Sequence, residues 1–202
     1  MNLPSLIVID DFLTDPHLAR QVALGLGYDP ALKQGNYPGL QSTNPLPIPG
    51  LEESVSRIVG IQLKPQPGTM HGHCRLTLAG DRGHSGVHID PATYSGILYL
   101  SLPEHCRGGT EFFRHKRTGL ERVPHRAEDI AAAGYADINL LVEDVVNRDT
   151  LKPGCWERIS AVPMRFNRLA LFNPWLFHNA ARAFGKGPED GRLVQTLFFA
   201  AA

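Results

Sequence analysis

From Met70 onward the chain carries its apolar residues in short runs cut apart by glycine, proline and aspartate. That punctuation leaves little room for long helices and is the pattern of an antiparallel sandwich or barrel. The predicted strands are Cys74 to Leu78, Gly86 to Ile89, Tyr94 to Leu100, Thr110 to Phe113, Leu169 to Phe172 and Arg192 to Phe199. Between Phe113 and Leu169, the stretch Arg114 to Arg165 is longer than a minimal barrel needs. Within it, Asp137 to Val146 sets Ile138, Leu141, Val142, Val145 and Val146 at helical spacing, which predicts a helical insertion.

Ahead of these runs, Leu6-Ile7-Val8-Ile9 reads as a strand and Asp15 to Leu26 as a helix, with Asp15 as its N-cap, Pro16 in its first turn and Gly25 and Gly27 as its stop. Gly35 to Gly50 contains Pro38, Pro45, Pro47 and Pro49 and is expected to be an ordered but irregular loop. Leu51 to Leu63 carries Leu51, Val55, Ile58 and Val59 on one helical stripe and is expected to pack on the sheet. The expected fold is therefore mainly β with flanking helices. It forms one domain over 1–202, with a strand, helices and loop in 1–69 and a β core in 70–202 interrupted at about 114–165.

Composition narrows the partners. Twenty basic and twenty acidic residues leave no net charge, so neither nucleic acid nor an anionic membrane is an expected partner. The opening MNLPSLIVIDDFL has no basic leader, and no stretch approaches a bilayer span in apolar length. Cys74, Cys106 and Cys155 are widely spaced and odd in number, which fits reduced thiols and a cytoplasmic setting.

The chemistry-bearing residues come next. In an extended His88-Ile89-Asp90 the imidazole and the carboxylate point to one face, and Pro91 favours an extended Asp90. A three-residue H-x-D arises often by chance. His178, after Leu169 to Phe172 and the turn-like Asn173-Pro174, is the candidate third ligand. Two histidines and one carboxylate leave open positions on iron for a chelating oxo-acid and dioxygen. Arg192 lies fourteen positions further on and opens an otherwise apolar run. A guanidinium entering a buried strand calls for an anion, and its planar fork suits a carboxylate. The competing reading is a strand-end arginine whose head reaches water.

With these residues in place the sequence resembles the iron(II)- and 2-oxoglutarate-dependent dioxygenases, in particular the prolyl-hydroxylase-like branch of the double-stranded β-helix superfamily. Ser5 to Leu13 looks like that branch's opening strand, and His88-Ile-Asp90 like its first two ligands. Ile97-Leu-Tyr-Leu-Ser101 with Gly108-Gly-Thr-Glu-Phe112, then Asn167 to Phe172, His178 and Arg192, match its later strands in order. The resemblance implies a jelly-roll, cupin-like core with N-terminal helices on the sheet. It assigns His88, Asp90 and His178 to iron(II) as metal ligands and catalytic residues, Arg192 to the distal carboxylate of 2-oxoglutarate, and Tyr99 to a hydrogen bond with that same carboxylate. It implies conversion of 2-oxoglutarate and dioxygen to succinate and carbon dioxide with oxidation, usually hydroxylation, of a substrate carbon. Asp90 argues against halogenation, which in this family goes with a small residue at that position. A small molecule is the favoured substrate, with a peptide side chain or a non-redox cupin-like binding role as the alternatives.

His71-Gly-His73-Cys74, with His84 nearby, superficially suggests zinc but lacks the paired spacing of structural sites. Substrate contact for His71, His73 and Arg75, or plain surface placement, are the other readings. Arg114-His-Lys-Arg117 is expected to be a solvated turn, and Trp156 and Trp175 to be core.

Overall fold

The central strands of the larger sheet bury both faces, which is why they are apolar at most positions. In the computed structural model, which describes residues 3–30 and 37–202, the elements follow the chain as β1 (Leu6–Ile9), α1 (Pro16–Gly25), β2 (Leu40–Pro45), α2 (Leu51–Val59), β3 (Leu63–Pro65), β4 (His73–Thr77) and β5 (Tyr94–Tyr99). They continue as β6 (Gly109–His115), α3 (Ala127–Ala132), α4 (Ile138–Leu141), β7 (Trp156–Pro163), β8 (Leu169–Phe172), β9 (His178–Ala180) and β10 (Arg192–Ala201). The larger sheet runs β1-β8-β5-β10-β4-β2, with β3 on the same edge of β10 as β4; the smaller runs β7-β6-β9. Every strand pairing between them is antiparallel.

The two-residue period of a strand divides these apolar runs between two layers. Leu169 and Leu171 of β8 and Leu193, Leu197 and Phe199 of β10 join Ala23 of α1 and Leu51, Val55 and Val59 of α2 in one buried cluster. Their alternates Ala170, Phe172 and Val194 join Phe112 of β6 and Val162 of β7 in a second. Each leucine taken out of water in this way contributes roughly 1.5–3 kcal/mol. A third cluster joins the insertion to two distant segments: Leu141, Val145 and Val146 pack with Val87 and Phe177, the residues preceding His88 and His178.

Several elements depart from the sequence expectations. Of the stretch expected to be an irregular loop, Gly35 and Asn36 lie outside the described residues, and Leu40–Pro45 forms β2. Pro45 is tolerated because β2 is an edge strand with a register shift between Gln41 and Pro45. The helix expected to reach Leu63 ends at Val59, where Gly60 takes a left-handed conformation (φ 85°) and stops it; Ile58 of the predicted stripe is 38% exposed. Gly86 to Ile89 is not a strand: Gly86 and Val87 lie in bends, and His88 forms only an isolated bridge to His178. Val87 donates to Thr150, His88 exchanges hydrogen bonds with His178, and Asp90 donates to Pro174, so successive residues find different partners and no ladder forms. The insertion is helical only in part, with α3, α4 and a π-helical turn at Val142–Asn147. Its last portion is β7, eight residues paired along β6. Nor is Arg114 to Arg117 all solvated turn: β6 runs through His115, which is fully buried with its Nε2 3.1 Å from Asp149 Oδ2. No helix among the described residues is long and apolar enough to cross a membrane.

Candidate metal centre

His88 and Asp90 leave the irregular segment before β5, while His178 opens β9, and the double hydrogen bond between His88 and His178 brings them together. The ligand-capable atoms of His88, Asp90 and His178 lie within 4.8 Å of one another, and no other such group occurs among the described residues. His178 Nε2 stands 3.2 Å from Asp90 Oδ2, and His88 Nε2 3.8 Å from Asp90 Oδ1. The two rings are 4.4 Å apart between centroids.

Orientation is set from behind by the backbone. His88 Nδ1 donates to the Gly86 carbonyl at 2.8 Å, and His178 Nδ1 donates to the Leu176 carbonyl at 2.7 Å. A carbonyl only accepts, so each bond keeps a proton on Nδ1 and turns Nε2 toward the cluster, where its lone pair would serve a metal. Ser95 Oγ donates to Asp90 Oδ2 at 2.7 Å and fixes the carboxylate. Burial, then the neighbouring His178, push His88 down to about 4. Burial works to raise Asp90, but the charge and hydrogen bond of His178, with His88 and Ser95, outweigh it and hold the carboxyl at about 2. A neutral imidazole beside an ionised carboxylate is the state that ligates a metal.

The insertion props this segment. Thr150 accepts from Val87 N through its carbonyl and from Gly86 N through its hydroxyl, which in turn donates to the Val87 carbonyl. The approach is so close that a Cβ on Gly86 would run into the Thr150 carbonyl. Gly109, at φ 153°, likewise lets β6 approach the Val162 carbonyl of β7.

The cluster opens on a cavity of about 540 Å³ lined in part by Ile97, Phe172, Val194 and Arg192. Arg192 is 4% exposed, forms no ion pair with a described carboxylate, and has no hydrogen-bond partner for its Nε. Burial lowers its pKa. An unpaired cation walled into the same cavity as a metal-ligating cluster is the marked electrostatic feature of this molecule. Tyr99, fully buried, places its hydroxyl 2.7 Å from Thr110 Oγ1, and Thr110 lines the cavity.

His88, Asp90, His178 and Arg192 thus meet at one cavity, as the sequence predicts, and Tyr99 stands behind its wall. The histidines of the zinc-like motif are engaged elsewhere: His71 Nδ1 accepts from Phe198 N at 3.0 Å, and His73 Nδ1 donates to Ser42 O at 2.8 Å. Arg75 lines the cavity. Sequence reasoning missed Ser95 and Thr150. Ser95, five positions past Asp90 in a predicted strand, carries a weak signal, whereas Thr150 carries none, because its role depends on a non-local backbone approach.

Comparison with known proteins places this geometry in context. A profile described as a family of unknown function, DUF6445, matches residues 2–199. No curated protein matches. Among solved structures, HygX from Streptomyces hygroscopicus with nickel, 2-oxoglutarate and hygromycin B bound superposes with a TM-score of 0.53 at 16% identity, over 98% of this chain and 83% of that one. HygX with nickel and 2-oxoglutarate bound gives the same values. A Pseudomonas putida prolyl-4-hydroxylase covers 98% of this chain and 93% of its own at 13% identity and a TM-score of 0.47. The likeness to HygX shows a shared β-rich fold.

Proposed function

The chain belongs to the DUF6445 family, and we propose that it is an iron(II)- and 2-oxoglutarate-dependent dioxygenase that hydroxylates a carbon of a small molecule. The observation that carries this reading is the coincidence, in one cavity, of the His88, Asp90 and His178 cluster with the buried, ion-pair-free Arg192. A non-redox barrel has use for the first but no general need of the second. The shared fold with HygX, whose structures hold 2-oxoglutarate, is consistent with both.

On this reading the fold is a double-stranded β-helix with α1 and α2 packed on its larger sheet, and residues 1–202 form one catalytic domain. His88, Asp90 and His178 hold iron(II), with their backbone hydrogen bonds keeping Nε2 of each imidazole free for the metal. Arg192 takes the distal carboxylate of 2-oxoglutarate in its fork, and the bonded hydroxyls of Tyr99 and Thr110 complete that end of the site. When bound, iron with 2-oxoglutarate and dioxygen supplies the oxidation: one oxygen atom goes to the substrate carbon and the other to succinate, with release of carbon dioxide. Ile97, Phe172 and Val194 give the cavity apolar walls that exclude water from the reacting groups.

The test is an anaerobic titration of the iron(II)-loaded protein with 2-oxoglutarate. A weak visible charge-transfer band is expected, and in R192A the 2-oxoglutarate affinity should fall at least about tenfold while iron affinity changes little. A fully metallated protein with no band removes the oxygenase assignment, and equal loss of both affinities makes Arg192 structural. Substrate-stimulated succinate formation across amino acids and peptides then separates small-molecule from peptide hydroxylation.

A further inference from the structure

A second guanidinium reaches the same cavity. Arg75 of β4 stands directly opposite Gln41 of β2 in the sheet register, and its Nη2 donates to Gln41 Oε1 at 2.6 Å. That bond uses one of the five N–H donors of the arginine. No described carboxylate forms an ion pair with Arg75. Gln41 is 8% exposed, and its Nε2, with two more donors, is buried without a hydrogen-bond partner. Arg75, held in place by Gln41 Oε1, therefore keeps the rest of its N–H donors for the cavity it lines, the arrangement that an anion satisfies. Position adds to this. The Arg75 guanidinium lies 5.0 Å from the centroid of the Tyr37 ring, and that ring packs 4.7 Å from His88. Arg75, paired with Val194, lies two positions along β4 from Thr77, the partner of Arg192; Tyr37 ties Arg75 to the metal end of the cavity, while Arg192 neighbours Tyr99. The acidic groups of the cavity wall are already engaged: Asp81 Oδ2 accepts from Leu78 N at 2.8 Å, and Asp90 belongs to the cluster.

We infer that Arg75, positioned by Gln41, forms a second anion site, which holds the carboxylate of the substrate against Tyr37 while Arg192 holds the co-substrate. The substrate class is then a small carboxylic acid. This rests on the oxygenase reading for its assignment to substrate, although the anion site itself does not.

Benzoate is the probe: a carboxylate on a flat apolar body suited to the Tyr37 ring. It is titrated calorimetrically into zinc-loaded protein saturated with 2-oxoglutarate, with benzamide and phenylphosphonate as comparison ligands. Benzoate is expected to bind and benzamide not to. R75Q should weaken benzoate about tenfold or more and R75K by less, since the charge remains, while 2-oxoglutarate affinity stays within about threefold in both. Folding of each variant is checked by its melting curve, and R75K keeps the test readable if R75Q does not fold. Equal benzoate affinity in wild type and R75Q overturns the inference, as does absence of benzoate binding in wild type. A loss of 2-oxoglutarate binding in R75Q as large as that in R192A also overturns it, by giving Arg75 to the co-substrate. Binding of phenylphosphonate in place of benzoate overturns the carboxylate assignment. If wild-type protein binds no 2-oxoglutarate, the oxygenase reading fails by itself, and benzoate titration of the zinc-loaded protein alone still decides whether Arg75 binds an anion.

Discussion

Replacing Arg192 with methionine should stabilise the protein when no ligand is bound. Arg192 is 4% exposed and, among the described residues, lacks a carboxylate partner and a hydrogen bond to its Nε. Its burial opposes the charged form, an effect only partly countered by Tyr99. The effective penalty for a buried, unpaired ion is several kcal/mol even after relaxation, and cavity water reduces it, so a methionine that keeps the apolar stem should gain about 1–3 kcal/mol. For a chain of 202 residues, each kcal/mol moves the melting temperature by about 2–4 °C, which predicts a rise of roughly 2–12 °C. The second arm supplies the contrast. At about 100 times its Kd, 2-oxoglutarate should add about 2.7 kcal/mol to metal-loaded wild type and nothing to R192M. Differential scanning fluorimetry with and without ligand reads both effects. A variant that melts below wild type would show that Arg192 is a satisfied structural residue. A variant that still responds to 2-oxoglutarate would remove it from the co-substrate site.

The buried His88 predicts a pH dependence in metal-free protein. His88 protonates near 6.5 in the unfolded chain but only at about 4 in the folded one, so between those values the unfolded state binds more protons and stability falls as pH drops. The loss is up to about 3 kcal/mol, with a further contribution below pH 3.8 as Asp90, held at about 2, is protonated. Urea unfolding across pH 7 to 4 measures it, and H88N should flatten the slope; an unchanged slope refutes the assignment. Ser95→Ala removes the hydroxyl that fixes Asp90 and should lower zinc affinity about 10- to 100-fold with little change in fold, measured by competition with a chromophoric chelator. Thr150→Val leaves Gly86 N and the Val87 carbonyl without their side-chain partner and should cost about 1–3 kcal/mol. Metal affinity should fall more than affinity for 2-oxoglutarate, and the reverse order would separate the insertion from the metal centre.

The legible parts of this molecule are those whose physics is written locally. β8 and β10 are apolar on both faces because both faces are buried, so their composition alone marks them. His88, Asp90, His178 and Arg192 stand out because polar groups of those types are costly in β-rich runs unless a ligand needs them. The edges were harder to read. β2 is polar and ends in Pro45, which an edge strand tolerates, and β7 exposes six of its eight residues, so neither carries an apolar alternation. The segment bearing His88 and Asp90 resembles a strand locally, but its partners Thr150 and Pro174 are distant in sequence, and only tertiary structure supplies them. Gln41 was hidden for the same reason: its significance lies in facing Arg75 across the sheet.

The placement of β10 also bears on how the chain reaches this state. β10 pairs with β3, β4 and β5, all of which precede it in the chain, and β8 likewise supplies the partner for β1. During vectorial synthesis the earlier strands emerge with open edges and wait more than ninety residues for the segment that joins them, since the β10 partner of Tyr99 is Val194. So high a contact order favours slow folding and a long exposure of unpaired edges to other chains. Arg192 lies on the joining strand itself, so under the proposed function a chain that has not closed its larger sheet would lack its oxo-acid anchor, and appearance of that affinity would time completion of the fold.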